Sequence, residues 1–193
     1  TRGDHIILCF ILSTGLISMW LSNTATTMMM FPIALSVNAV IHDYKSQKGN
    51  HQNFSIALLL SIAYASNLGG IATLIGTPPN IAYVGYYASK YGQEISFSNW
   101  MLFSLPLSML LLAILYFVLT KWMYRNKMEQ NDDIQSFVEK EWAALGPMSI
   151  SEKRVLAVFV STAALWVFRS FINQMQDIFI LDDTMIALFG AIS

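Results

Sequence analysis

Residues 66–80 read SNLGGIATLIGTPPN and lie between two apolar runs, FSIALLLSIAYA at 54–65 and IAYVGYYA at 81–88. Three glycines, two threonines and a double proline thus interrupt what would otherwise be one continuous hydrophobic stretch. Proline lacks the amide hydrogen and clashes with the preceding turn, while Gly76 admits backbone angles closed to other residues. A spanning helix needs roughly 20 apolar residues. Neither 54–72 nor 81–89 makes a convincing independent span, yet together they cover one crossing. The stretch predicts a helix that stops partway through a membrane and restarts.

Composition supports the membrane. The chain is 55% hydrophobic and only 12% charged, where a soluble domain carries about 25% charged residues; its mean hydropathy is +0.50. A net charge of -1 with no dense basic run excludes a strongly basic nucleic-acid binder. The single cysteine, Cys9, cannot form an internal disulfide and reads as a small buried hydrophobe. The chain opens TRGDH and stops inside LDDTMIALFGAIS, where an apolar run has barely begun, so it reads as a fragment lacking residues at both ends, with no recognisable signal peptide.

A second interruption lies upstream. Apolar runs 5–21 and 25–41 are separated only by Ser22, Asn23 and Thr24, too few residues for an aqueous loop between two complete spans. Two readings stay open: a single long helix with a polar belt facing a neighbour, or a re-entrant hairpin whose tip lies at membrane depth. Non-helical backbone there is tolerated only against protein or a water-filled cavity, so the hairpin implies a site. Plain spans follow at 100–120 and 155–172, joined by a polar connection at 121–154 that includes a surface helix near 134–144, and a final span starts near Thr184. The expected fold is an all-α polytopic membrane protein.

Charge orients it. With the hairpin ends and 121–154 in the cytoplasm, Arg2, Lys45, Lys48, Lys121, Arg125, Lys127, Lys140, Lys153 and Arg154 are inside, nine of the eleven Lys and Arg residues. Loops 91–99 and 173–183, with Glu94, Asp177, Asp182 and Asp183, then face outward. The Asn-x-Ser sequon at Asn53 falls on the cytoplasmic side and reads as chance. Trp100 and Trp122 bracket one span as interfacial anchors, and Arg169, near a helix end, can snorkel.

The breaks carry the chemistry. Ser18 and Ser22 are four residues apart, one turn of a single helix face, with Asn23 and Thr24 directly after. Serine hydroxyls, the asparagine carbonyl and freed backbone carbonyls are hard oxygen ligands suited to Na⁺, favoured further by the negative ends of half-helices. The donors of Asn23 and Thr24, at the positive start of the next helix, suit a carboxylate or other oxyanion. Neither break contains Asp, Glu, Lys or Arg, so a bound cation must supply the positive charge and anion affinity should depend on sodium. Residues 69–77 resemble a phosphate loop only in outline, since no lysine follows Gly76 and no strand precedes it. His5, His42 and His51 lack metal-ligand spacing, and the methionines of TTMMMF read as packing residues.

At SMWLSNTATTMMMFP and SNLGGIATLIGTPPN the sequence strongly resembles the divalent anion/sodium symporter family, which includes sodium-coupled dicarboxylate, citrate and sulfate carriers. The resemblance covers nearly all of the chain. It implies one half of an inverted-repeat transporter plus the start of the second: residues 1–98 as transport-domain part (hairpin 5–41, broken helix 54–90), 99–154 as a transmembrane helix with a cytoplasmic connection, and 155–193 as a further helix and the start of another. It further implies sodium bound by Ser18, Ser22, Asn23 and the backbone around Gly76, and substrate carboxylate held by Ser22, Asn23 and Thr24. Thr77, Pro78, Pro79 and Asn80 would shape the loop closing over the ion. An elevator-type movement against a dimeric scaffold is also implied, with Na⁺ as coupling ion and no organic cofactor. No second Ser-Asn-Thr occurs, so this stretch alone should not transport. The functional expectation is symport of succinate, malate, fumarate or citrate across a cell (inner) membrane. Rivals are a sulfate carrier or exchanger of the same superfamily, an intramembrane enzyme, which the lack of an Asp pair, Ser-His or Ser-Lys dyad disfavours, and a structural scaffold, which leaves both breaks unexplained.

Overall fold

The computed structural model describes residues 3–44, 51–124, 143, 146–175 and 181–192, and among them all regular structure is helical. The helices are α1 (Gly3–Ser18), α2 (Asn23–Tyr44), α3 (His51–Gly70), α4 (Pro78–Tyr91), α5 (Phe97–Phe117, continuing as a π-helical turn Val118–Met123), α6 (Ile150–Met175) and α7 (Asp183–Ile192).

Local chemistry sets several of these ends. Thr77 is extended (φ -148°) and Pro78 and Pro79 occupy the first helical positions of α4, where a missing amide hydrogen costs nothing and a fixed φ suits the helix. Gly92 closes α4 in the left-handed region (φ 67°), its N–H donating to Ala88 O at 2.9 Å. Ser149 and Glu152 form a reciprocal capping box before α6: the Ser149 N–H donates to Glu152 Oε2 (2.7 Å) and the Glu152 N–H to Ser149 Oγ (3.2 Å).

α3 is the central element, packed on α1, α2 and α5. Its tightest partner is α1, because Gly15 and Gly69 let the two backbones touch: a Cβ on Gly69 would lie 2.3 Å from Gly15 O. The buried cluster contains Ile7 and Ile11 of α1, Ala34 of α2, Phe54, Leu58 and Ile62 of α3, and Leu112 of α5. Lys121 pairs with Asp4 at 2.9 Å, tying the end of α5 to the start of α1. The outward face of α5 is apolar and bare, with Leu102, Phe103 and Phe117 exposed and Trp122 exposed just beyond it. Among the described residues, Phe97–Met123 is long and apolar enough to cross a membrane.

Several expectations change. The first break is 19–22, so Asn23 and Thr24 open α2 instead of preceding it. A single long helix through both upstream runs is excluded, since α1 stops at Ser18 and α1 and α2 both pack on α3. For the same reason Ser18 and Ser22 do not share a helix face. Cys9 is exposed, not buried, because the outside of an apolar bundle accepts apolar residues as readily as its core. Arg169 does not snorkel to water: it pairs with Asp183 at 2.7 Å and donates from Nε to Leu181 O at 3.1 Å. Arg2, Lys45, Lys48, Arg125, Lys127, Lys140, Asp177 and nearly all of the expected surface helix lie outside the described residues, as do the side chains of His42 and His51.

Candidate functional site

The two breaks meet. α1 ends at Ser18 and α3 at Gly70, and the close glycine packing of these helices brings their carboxyl ends side by side. Ser18 is fully buried. Its hydroxyl lies 2.7 Å from Ser66 O and 2.9 Å from Asn23 Oδ1. A hydroxyl has one proton, so Ser18 can donate to only one of these two acceptors at a time.

Glycine permits the approach on the α3 side. A Cβ on Gly70 would sit 2.2 Å from Asn23 Oδ1, so only a bare backbone fits against that carboxamide. A Cβ on Gly76 would meet Gly70 O at 2.5 Å and Ser18 O at 3.0 Å. The second break therefore folds back onto the ends of both helices.

Freed backbone groups must find partners, and side chains supply them here. The Thr73 hydroxyl donates to Met19 O, joining the two breaks, and accepts from the Gly76 N–H at 3.1 Å. Buried Asn80 donates from Nδ2 to Gly70 O (2.9 Å) and Thr73 O (2.7 Å). The Trp100 indole N–H donates to Ile71 O at 3.0 Å, reaching inward from α5.

On the other side of Asn23 the surroundings open. Its Nδ2 donates to Asn67 Oδ1 at 3.1 Å. Ser22 and Thr24 are exposed, and Ser22 Oγ accepts from the Ala25 N–H at 3.3 Å. Thr27 donates to Asn23 O (2.8 Å) and lies 2.9 Å from Ser66 Oγ. Two buried hydroxyls, Thr14 and Thr26, find no hydrogen-bond partner among the described residues. Next to the tip, Trp20 meets Phe159 edge-on (5.4 Å) and stacks on Phe97 (6.4 Å), which stacks on Trp166 (5.7 Å). A cavity of about 500 Å³ under Trp20 and Leu21 is walled mainly by apolar side chains, among them Ile75, Val158 and Phe159, with Arg154 and Thr162 also in its lining.

The site is therefore neutral and divided. Carbonyl and hydroxyl oxygens gather where the negative ends of α1 and α3 converge, and donors lie where α2 begins. Among the described residues no group of three His, Cys, Asp or Glu could hold a metal, so a cation here must be one content with neutral oxygens. Of the residues singled out from sequence, Ser18, Asn23, Gly76 and Asn80 converge; Ser22 and Thr24 sit on the exposed flank; Thr77, Pro78 and Pro79 start α4. Sequence reasoning missed Ser66, Asn67, Gly70 and Thr73 as site formers, although all four lie in or beside the glycine-broken stretch.

Residues 3–193 match the family model described as the sodium:sulfate symporter transmembrane region. The chain is 36% identical over 178 residues to the sodium-dependent dicarboxylate transporter SdcS of Staphylococcus aureus strain NCTC 8325 / PS 47, covering 91% of this chain and 34% of that protein. The SdcS proteins of strains COL and N315 match with the same identity and coverage. The chain thus spans about a third of the length of the curated relatives it matches.

Proposed function

We propose, from the premise that this chain belongs to the sodium:sulfate symporter family, that the full-length protein imports di- or tricarboxylates such as succinate, malate, fumarate or citrate together with sodium. The observation that carries this is the buried Ser18 hydroxyl facing two acceptors, Ser66 O and Asn23 Oδ1, between two helix carboxyl ends. The acceptor that Ser18 does not serve, and the lone pairs of Ser18 itself, suit a small hard cation. On this reading Ser18, Ser22, Asn23 and the backbone at Gly76 hold sodium, helped by the carbonyls of Ser66 and Gly70. Ser22, Asn23 and Thr24 hold one substrate carboxylate, and Thr77, Pro78, Pro79 and Asn80 shape the closing loop.

Coupling follows from charge. With no Lys or Arg in either break, the anion gains its electrostatic partner only when the cation is bound, and each ligand raises the affinity of the other by the same factor. Residues 1–98 would move as part of a transport domain against a dimeric scaffold, with the segment 99–154 between them and 121–154 cytoplasmic. The remaining two-thirds of the carrier would complete the site.

The relatives' name favours dicarboxylates; the family's description gives sulfate as the second reading. Both are tested by isotope uptake into proteoliposomes holding the full-length carrier, with succinate, citrate and sulfate offered in turn and sodium replaced by choline. Succinate uptake that vanishes in choline is expected. Equal uptake in choline would overturn sodium coupling, and uptake of sulfate alone would move the assignment to the second reading.

A further inference from the structure

We infer that Asn67 is a positioning residue that decides which way round the Asn23 carboxamide sits, and thereby keeps the cation face of the site distinct from its anion face. The inference rests on the sodium and carboxylate reading above.

The chain of constraint starts at a backbone carbonyl. Ala63 O can only accept, and Asn67 Nδ2 lies 2.8 Å from it. That bond fixes the Asn67 amide, leaving Oδ1 to face Asn23. Asn67 Oδ1 can only accept as well, so the group opposite it at 3.1 Å must be the Asn23 NH₂. Asn23 Oδ1 is then turned toward Ser18 Oγ at 2.9 Å and the end of α3 at Gly70.

Ser18 cannot impose this orientation by itself. Its hydroxyl both donates and accepts. If it gives its proton to Ser66 O at 2.7 Å, its lone pairs can equally accept from a reversed Asn23 NH₂. On the Ser18 side alone the reversed arrangement would satisfy both groups without an ion and would turn N–H donors toward the cation. Asn67 is the partner that makes reversal costly. It is exposed and belongs to no packed core, so its placement at the end of α3 answers to hydrogen bonding instead of burial.

Two substitutions in the full-length carrier separate positioning from mere structure. Asn67→Leu removes the acceptor; Asn67→Asp keeps an acceptor for Asn23 but adds a negative charge beside the site. Each purified variant is compared with wild type by thermal stabilisation, first with sodium alone, then with succinate added at saturating sodium, folding being checked by circular dichroism and elution volume. In Asn67→Leu the apparent sodium affinity should fall about tenfold, the scale of one hydrogen bond's orientation. In Asn67→Asp sodium affinity should equal or exceed that of wild type, while succinate affinity falls tenfold or more. Wild-type sodium affinity in Asn67→Leu, or an equal loss in both variants, would overturn the inference. If wild type itself is not stabilised by sodium, the parent reading fails and this one with it.

Discussion

Gly70→Ala tests the geometry most directly. The new Cβ would fall 2.2 Å from Asn23 Oδ1, 3.1 Å from its Cγ and 3.2 Å from its Nδ2. Real Cβ contacts are not found below 3.0 Å, so Oδ1 and Gly70 must separate by about 1 Å, a displacement on the order of those that cost two orders of magnitude in precisely positioned sites. α3 cannot retreat freely, because Gly69 is held against the Gly15 backbone one residue earlier. The carboxamide has to yield. Alanine also favours helix over glycine by about 0.5–1 kcal/mol, so helix propensity gives no reason for the fold to fail. The expected result is a tenfold to hundredfold rise in the sodium concentration for half-maximal succinate uptake, about 1.4–2.7 kcal/mol, measured in proteoliposomes holding the full-length carrier. Gly85→Ala on α4 is the control: its Cβ meets nothing within 4 Å, and sodium dependence should not move. An unaltered sodium curve for Gly70→Ala would refute the close approach of α3 to Asn23 on which the site depends.

Two further outcomes are expected. Gly69→Ala sets a Cβ 2.3 Å from Gly15 O and 2.7 Å from Gly15 Cα; both are backbone and cannot rotate away, so the cost should appear as a lower melting temperature worth about 1–3 kcal/mol, with sodium dependence of the surviving protein as a secondary readout. Asn80→Ala strips the donors from Gly70 O and Thr73 O, a penalty of about 1–3 kcal/mol for each buried acceptor left unsatisfied, and sodium-driven uptake should fall with it; Asn80→Asp should not restore uptake, because an ionised carboxylate cannot donate.

What could be read in advance was what depends on near neighbours in the chain. The double proline at 78–79 cannot lie in a helix interior, and it does stand at a break, in the first turn of α4. The Ser22–Asn23–Thr24 insertion leaves too few residues for an aqueous loop between full spans, and α1 does stop beside it, three residues earlier than the apolar run suggested. The contributions of Ser66 and Gly70 could not be read this way: they depend on the register of α1 against α3, which the Gly15–Gly69 contact sets across more than fifty residues of chain. Cys9 failed for a different reason. Inside a membrane protein hydrophobicity does not separate the core from the surface, since lipid tails are as apolar as leucine, and Cys9 is exposed. Arg169 needed the return of α7 to supply Asp183.

Breaking two helices side by side frees carbonyls, and several of them are met. Met19 O receives Thr73, Ile71 O receives Trp100, and Gly70 O and Thr73 O receive Asn80. Each of these donors reaches in from the second break or from the two helices that follow it, so the segment carrying TLIGTPPN neutralises the surplus it helped to create. At the end of the first break the Ser18 hydroxyl has one proton for two acceptors, Ser66 O and Asn23 Oδ1, at the negative ends of α1 and α3. Had the donors been placed there instead, the breaks would be self-satisfied and a cation would have nothing to complete. On the proposed reading, donors that are generous around the second break and fewer at the end of the first would let a pair of interrupted helices hold a cation without any charged side chain.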